Sequence, residues 1–290
     1  MSKKNIELIE QLPIWTGQID IINLKGGLTN NNYLVTDNSH KFVVRLGEDI
    51  LEHHILRSNE LISTKAAYEA GIGPKVIYNS HGVLVIEYIE SKTLSPKEVR
   101  QNIDKIIPLI KKTHHEIPKK LFGPAAIFWV FHIIRNYINF LKNNQSSYTS
   151  ILDKLTLNND ILEKTSSPYQ IVFGHNDLLP SNFLNDGSKI WLIDWEYSGF
   201  NSPLFDLGGI ASNNDFSYDE EIYLLENYYE KKIDSELIIK YNAMKCSSLL
   251  RETLWSMVSE LTSKIDFDYA KYTDENLNKF ETSFKEFQNS

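Results

Sequence analysis

The stretch that decides the fold is IVFGHNDLLPSNFLNDGSKIWLIDWEYSG, which spans residues 171–199. It contains two short apolar runs whose length and composition predict buried strands. The first run is followed at once by His175, Asn176 and Asp177, and the second run ends on Asp194. Two acids, each at the end of a strand-like run, indicate a polar site in which both carboxylates have a defined position.

The spacing of the polar residues in this stretch indicates a metal site. Asn182 lies five residues after Asp177, and Asp194 lies seventeen residues after it. Amide and carboxylate oxygens are hard ligands that suit Mg²⁺, which takes few protein groups and fills its other positions with water and phosphate oxygens. Asn182 and Asp194 are therefore candidate metal ligands, and Asp177 is a candidate base for a hydroxyl proton.

The chain before residue 92 is predicted to form mostly strands. Its segments are short, rich in β-branched residues and partly alternating, and turn residues such as Asp37-Asn38 separate them. The tight turns favour antiparallel pairing, with one helix packed on the sheet. The predicted strands are residues 18–24, 31–37, 40–46, 75–80 and 82–89, and the predicted helix is residues 49–70.

The chain after residue 91 is dominated by helical periodicity. Pro108 interrupts the first helical segment, so a kink or break is expected there. We expect an α+β protein with residues 1–91 as an N-lobe, residues 92–290 as a C-lobe, and the site chemistry in the cleft between them. The predicted helices are residues 97–117, 125–143, 150–164, 219–230, 234–264 and 274–288.

Composition narrows the function classes. The 290 residues carry a formal net charge of −8, so the chain is not expected to bind nucleic acid or an anionic membrane. The single cysteine, Cys246, fits a reducing compartment. The amino-terminal segment lacks the apolar run of a signal peptide, and the longest apolar run, residues 125–134, is too short to span a bilayer. We therefore expect a cytoplasmic protein.

Four motifs together resemble a known family. HNDLLPSN (175–182) resembles the H-x-D-x-x-x-x-N catalytic loop of kinase-like phosphotransferases, and IDWEYSG (193–199) resembles the D-F-G position of protein kinases. With GGLTNNNYLV (26–35) and LWSMVSELTSKIDFDYAKY (254–272), they resemble the choline/ethanolamine kinase family, and most closely its bacterial choline kinase branch. The resemblance implies a bilobal protein kinase-like fold with a small antiparallel-sheet N-lobe and a mainly helical C-lobe. It also implies ATP and Mg²⁺ as cofactors and choline as the phosphoryl acceptor.

The resemblance assigns roles on the nucleotide side of the cleft. Arg45 matches the strand position where protein kinases carry a lysine, and Glu60 matches the helix acid that pairs with it. His175 would hold the catalytic loop. The remaining nucleotide contacts would come from the loop residues Thr29, Asn30 and Asn31 and from the backbone of the hinge residues Glu87 and Ile89.

The departures from the protein-kinase pattern argue against a protein kinase. GGLTNNN stands where a G-x-G-x-x-G loop would be, Arg45 replaces lysine, and Trp195 follows the second acid. There is also no A-P-E-like segment. The first two departures are expected in the choline kinase family.

Choline, the acceptor that the resemblance implies, carries a quaternary ammonium. Aromatic faces and carboxylates bind such a cation, and each ring contributes about 0.5–2 kcal/mol. The resemblance places Trp255 and Tyr272 in such a cage, with Glu196 as a counter-charge. Trp255 also lies about 100° from the apolar stripe of its helix, so it need not be core. That stripe consists of Leu250, Leu254, Met257 and Leu261.

Several alternatives stay open. Glu252 stands where some family members carry another cage tryptophan, so a primary ammonium, as in ethanolamine, is also possible. A thiamine or aminoglycoside phosphotransferase, or a catalytically silent nucleotide-binding protein, would share the scaffold. Trp255 and Tyr272 could be plain core residues, and Arg45 and Glu60 could be solvated charges.

Overall fold

In the computed structural model of this chain, residues 2–24, 27 and 29–289 are described. Gly26 and Leu28, which the sequence places in the nucleotide loop, lie outside these residues. The first part of the chain forms a five-stranded sheet in the order β1-β2-β3-β5-β4, with antiparallel pairing throughout. The strands are β1 (Ile19–Leu24), β2 (Asn31–Asp37), β3 (His40–Leu46), β4 (Val76–Ser80) and β5 (Val83–Glu87), which confirms the predicted set.

Two helices accompany the sheet, where one was predicted. α1 (Lys3–Glu10) brings Ile9 into a small apolar cluster with Val35, Val44 and Val85 of the sheet. α2 (Arg57–Glu69) follows a short 3-10 turn, and its buried Ala66 and Ala67 join a much larger cluster in the second part of the chain. Small side chains on α2 allow this close approach. α2 therefore ties the sheet to the helical part.

The second part of the chain is mainly helical, as predicted. Its longest helix, α9, is central and packs against α5, α6, α7 and α10. α7 was missed by the sequence reasoning. The helices are α3 (Pro96–Gln101), α4 (Ile103–His115), α5 (Val130–Asn143), α6 (Thr149–Ser166), α7 (Pro203–Asn213), α8 (Tyr218–Tyr229), α9 (Ser235–Thr262) and α10 (Tyr269–Gln288).

The prediction of a break at Pro108 was wrong. α4 runs through Pro108, and the interruption lies at Asn102 between α3 and α4. Asn102 has a non-helical backbone (φ −109°, ψ 19°), and its side-chain amide donates to the Glu98 carbonyl at 2.8 Å. Pro108 is the sixth residue of α4 and lies inside it, so the packing of the helix outweighs the hydrogen bond that proline removes, whereas at Asn102 the side chain bonds the backbone and the chain leaves the helical conformation.

Short strands in the second part build the floor of the site. β7 (Val172–Gly174) pairs with β10 (Gly199–Asn201), and β8 (Phe183–Asn185) pairs with both β6 (Lys92–Thr93) and β9 (Ile190–Leu192). β7 and β9 are the two strand-like runs that the sequence indicated. The predicted lobe boundary, between residues 91 and 92, lies where the connection from β5 ends and β6 begins; that boundary stays a prediction. In the described part of the chain, no helix combines the length and apolarity needed to cross a membrane.

Candidate active site

The loop that follows β7 is anchored by one buried carboxylate. The backbone N–H groups of His175 and Asn176 donate to Asp206 on α7 at 2.8 Å and 2.7 Å. Asp206 Oδ2 also lies 3.0 Å from His114 Nε2. Burial opposes the charged form of Asp206, but the hydrogen bond from His114 holds its pKa below the ordinary value. The loop that carries Asp177 therefore has a fixed backbone.

Hydrogen bonds of Asn176 connect this loop to β10. Its backbone lies in the left-handed region (φ 64°), which asparagine tolerates better than most residues. Its side-chain amide donates to the carbonyls of Tyr197 and Gly199 at 3.0 Å and 3.1 Å, and its amide oxygen accepts from Asn201 at 3.1 Å. These contacts connect the loop that carries Asp177 to β10, the strand that follows Asp194 in the chain.

His175 contacts the segment that carries the second acid. Its Nε2 lies 3.0 Å from the Ile193 carbonyl, and its ring lies 4.7 Å from the Trp195 ring, centre to centre. Burial lowers the pKa of His175, so the neutral imidazole donates from Nε2 to the carbonyl. The geometry suits the loop-holding role that the resemblance implies.

Asp177 and Asn182 face the same cavity as Asp194. The Asn182 side-chain nitrogen donates to the Asp177 backbone carbonyl at 2.9 Å, so this nitrogen is bonded within the protein. Among the described residues, the Asn182 amide oxygen accepts one hydrogen bond, a long one of 3.5 Å from the Ser181 hydroxyl. Burial raises the pKa of Asp177 well above its ordinary value; Arg251 opposes this shift, and Glu252 adds to it.

Asp194 has a left-handed backbone (φ 70°), and its Oδ1 lies 2.6 Å from Arg45 Nη1. Burial opposes its charged form, but Arg45 holds its pKa below the ordinary value. The described residues contain no group of three or more His, Cys, Asp or Glu side chains that could hold a metal ion. Two hard oxygen donors, Asn182 and Asp194, fit a Mg²⁺ that takes its other ligands from water and phosphate, and do not fit zinc.

A network of charges connects the sheet, α2 and the metal-type donors. Arg45 on β3 pairs with Glu60 on α2 as well as with Asp194. Arg57, at the start of α2, pairs with Glu60 at 2.8 Å and with Glu196 at 3.0 Å. All five side chains are largely or fully buried. Arg45 and Glu60 are therefore neither surface charges nor isolated, and Arg57 is a member that sequence reasoning missed.

The nucleotide loop is held down by Glu196. The Thr29 hydroxyl donates to Glu196 Oε1 at 2.9 Å, and the Asn30 side chain donates to Oε2 at 3.2 Å. Burial raises the pKa of Glu196 to about 7, and Asp194 adds to this shift. The predicted counter-charge for the acceptor thus lines the cavity but is engaged by the loop. A Cβ on Gly27 would lie 2.7 Å from the Asn30 carbonyl oxygen, so the loop requires glycine there.

Strand alternation separates Asn31 from Asn32. Asn31 is exposed and does not line the cavity, whereas Asn32 is half-buried, lines it, and pairs in register with Arg45. The Asn32 amide oxygen is buried and has no hydrogen-bond partner among the described residues. Asn32, and not Asn31, therefore lines the cavity at this point of β2, and a nucleotide contact by either residue stays a prediction. The signal that could have found it is the register with Arg45.

The connection after β5 forms the opposite wall of the cavity. Glu87, Tyr88 and Ile89 all line it. The Glu87 N–H donates to the Lys75 carbonyl at 2.9 Å, and the Ile89 carbonyl accepts from the Ser91 hydroxyl at 2.9 Å. The segment therefore lies beside the cavity, where the adenine contacts are predicted, but the Glu87 N–H and the Ile89 carbonyl are already bonded within the protein.

Aromatic and acidic residues form the other end of the cavity, which has a volume of about 490 Å³. Trp255 Nε1 donates to the Tyr197 hydroxyl at 2.8 Å, and the Tyr272 hydroxyl donates to Glu252 at 2.8 Å. All four side chains line the cavity together with Asp177. The structure therefore brings both predicted cage residues to the candidate base.

Burial along α9 follows the predicted apolar stripe only in part. Leu250, Leu254 and Met257 are fully buried, but Leu261 is 43% exposed. Trp255 is also buried, at 6% exposure, although it lies off the stripe. α9 is surrounded by other helices here, so being off the stripe does not mean facing solvent.

Two further residues were missed. Asp206 is a lone acid in the apolar helix segment PLFDLGGIA, and such an acid usually has a buried partner. Arg251 is 3% exposed and lies beside Asp177, with 3.7 Å between Nη1 and Oδ1. In the sequence, Arg251 is followed directly by Glu252, and adjacent opposite charges on a helix usually indicate an ion pair that faces solvent.

The small antiparallel sheet, the helical second part and the acid–amide–acid site between them define a kinase-like phosphotransferase that acts on an alcohol. The sequence model of choline/ethanolamine kinases matches residues 21–227, and the chain belongs to that family. Both the family resemblance and the expected bilobal fold are thereby confirmed.

The chain is similar to proteins that are named as choline kinases and to proteins that are named as ethanolamine kinases. It is 28% identical over 266 residues to the protein LicA of Haemophilus influenzae, which covers 89% of this chain and 98% of the relative. It is 26% identical over 309 residues to human ethanolamine kinase 2, which covers 95% of this chain and 79% of the relative. The crystal structure of choline kinase LicA from Streptococcus pneumoniae superposes with a TM-score of 0.77 at 25% identity, covering 97% of this chain and 99% of the other.

Proposed function

We propose that this protein transfers the γ-phosphoryl group of Mg-ATP to the hydroxyl group of choline. The observation that carries this proposal is one cavity that is lined by the candidate base Asp177, by the donors Asn182 and Asp194 and by the aromatic pair Trp255 and Tyr272. Phosphoryl transfer requires little covalent chemistry from the protein, so positioning and charge neutralisation are the main tasks.

On the nucleotide side, Asn182 and Asp194 would hold Mg²⁺, which neutralises phosphate charge when it is bound. Arg45 would contact the phosphates, and Glu60 would keep its guanidinium in place. A glycine at position 27 lets the loop fold tightly against its own Asn30 carbonyl, and such a loop backbone could also approach the phosphates closely. The backbone of Glu87 and Ile89 would receive the adenine. This use of ATP also fits a cytoplasmic place of action.

On the acceptor side, Asp177 would accept or orient the proton of the acceptor hydroxyl. Trp255 and Tyr272 offer aromatic faces to the quaternary ammonium. Among the described residues at this end of the cavity, the acids Asp177 and Glu252 outnumber the cation Arg251, which favours a positively charged acceptor. These features support choline.

Ethanolamine is the second candidate, and the observation that favours it is Glu252. Its carboxylate lines the cavity and accepts a hydrogen bond from Tyr272. A carboxylate can accept an N–H from a primary ammonium, which choline cannot offer. Relatives named as ethanolamine kinases are consistent with this alternative.

ADP release from Mg-ATP tests the proposal, with choline, ethanolamine, thiamine and kanamycin as separate acceptors. A preference for choline, abolished in Asp177→Asn, is the expected result. Preference for another acceptor would keep the catalytic residues and overturn the choline assignment. If ATP binds but no ADP is released with any of the four acceptors, the alternative of a catalytically silent nucleotide-binding protein would be favoured.

A further inference from the structure

Arg251 is a buried cation on the wall of a cavity that is proposed to receive another cation. It lies on α9, is 3% exposed and lines the cavity. Its guanidinium carbon lies 4.2 Å from the centre of the Tyr197 ring and 5.6 Å from that of Phe128. Burying a charge in this way is unfavourable unless partners compensate it. The proposed mechanism gives Arg251 no task, so its contacts need an explanation.

The partners of Arg251 are reached through a single nitrogen. Nη1 lies 2.8 Å from Glu252 Oε2 and 3.7 Å from Asp177 Oδ1. Nε and Nη2 are buried and have no hydrogen-bond acceptor among the described residues. The aromatic rings therefore fix the guanidinium plane, and its one paired nitrogen is directed at the base and at the acid of the acceptor pocket.

The two oxygens of Asp177 have different neighbours. Oδ1 faces Arg251 Nη1, and Oδ2 lies 3.4 Å from the Asn182 amide nitrogen. Arg251 and Asn182 thus flank the carboxylate from the acceptor side and from the metal side. The contact with Arg251 is an ion pair and not a hydrogen bond, so Arg251 orients the carboxylate by charge while the Asn182 amide lies beside the other oxygen; a hydroxyl acceptor requires such a defined orientation.

We propose that Arg251 is a positioning residue for Asp177, and that it raises turnover at the expense of acceptor affinity. The inference rests on the proposed function, because it requires a cationic amino alcohol in the cavity. Arg251 neutralises part of the negative charge that attracts such an acceptor. It also keeps Asp177 aligned while the acceptor occupies the space beside Glu252.

The two effects of Arg251 predict an unusual kinetic signature. In Arg251→Met, kcat falls by about 100-fold because the base is no longer held in line. The KM for the acceptor stays the same or decreases, because two carboxylates remain without their cation, and the KM for ATP changes less than about twofold. A residue that only supports the pocket structure would instead raise the acceptor KM.

The experiment measures kcat and both KM values for wild type, Arg251→Met and Arg251→Lys, with choline and ethanolamine. Thermal unfolding of each variant is recorded alongside. Arg251→Lys keeps the charge but loses the flat face on Tyr197, so a smaller fall in kcat with an unchanged acceptor KM is expected. Arg135→Met is the matched control, since Arg135 is a half-exposed arginine that pairs with Glu163 on the same part of the chain.

Failure of the inference and failure of the proposed function are distinguishable. If wild type uses neither acceptor, the proposed function fails before any variant is compared. If wild type is active and either Arg251 variant keeps kcat while its acceptor KM rises, Arg251 is a structural residue and the inference is overturned. If Arg251→Met does not fold, Arg251→Lys alone decides by the same criterion.

Discussion

The two ends of the cavity are built in different ways. The nucleotide end is assembled from distant parts of the chain: the loop before β2, strand β3, the start of α2 and the segment after β9 each supply one or two charged or polar groups. The acceptor end takes Arg251, Glu252 and Trp255 from little more than one turn of α9, and adds Tyr272 from α10 and Tyr197.

Because of this difference, the residues proposed for phosphoryl transfer and those proposed for acceptor recognition lie in different parts of the chain. At the nucleotide end, two arginines and three carboxylates are connected by contacts in one buried network, so a change in one residue leaves another charge unpaired. At the acceptor end, a few substitutions within one helical turn can change shape and charge without touching that network. We infer that acceptor preference changes more easily than nucleotide use in this chain.

The largest effect is expected where the two ends meet, at Asp177. Asp177→Ala removes the base, and kcat should fall by about 10³-fold or more with every acceptor. ATP affinity should change little, because Asn182 and Asp194 remain. Steady-state kinetics and ATP titration check this, and a variant with normal turnover would remove Asp177 from the mechanism.

A large effect confined to the nucleotide end is expected for Glu60→Ala. The substitution leaves Arg45 and Arg57 without their shared buried partner, and a loss of about 3 kcal/mol of unfolding free energy is expected. The KM for ATP should rise, and the KM for choline should change much less. Denaturant unfolding and kinetics measure both quantities. Equal changes in the two KM values would show that the ends are not separable.

A moderate effect confined to the acceptor end is expected for Trp255→Ala. Loss of one aromatic face should raise the choline KM by about 10-fold, with less change for ethanolamine and little for ATP. Trp255→Phe keeps an aromatic face but cannot bond Tyr197, and serves as the control. If choline and ATP are affected alike, Trp255 acts as core.

The smallest effect separates two neighbouring asparagines. Asn31→Ala should leave the KM for ATP within about twofold of wild type, because Asn31 is exposed and points away from the cavity. Asn32→Ala should raise it several-fold, because Asn32 lines the cavity beside Arg45. The reverse order would support the position that the sequence resemblance assigned.

Local patterns predicted much of the site, and distant partners escaped prediction. β2 and β3 have the predicted bounds, since alternation and an Asp-Asn turn specify them locally. The contacts of Glu196 with Thr29 and Arg57 could not be predicted, because these partners are far away in the sequence. Arg251 was missed because an Arg-Glu pair on a helix usually faces solvent, and the sequence does not show which helices surround α9.

The backbone of Asp194 has a consequence for how this chain would lose activity during evolution. A residue with a left-handed backbone costs about 1 kcal/mol or more for most side chains, but asparagine and glycine adopt this conformation readily. Both can replace aspartate through a single base change, and both remove the carboxylate. Alanine, valine and tyrosine are also one base change away, and each adds backbone strain to the loss of the acid, whereas glutamate adds strain but keeps a carboxylate. The path of decay with the least backbone strain therefore leads to a folded protein without the acid that is proposed to bind the metal.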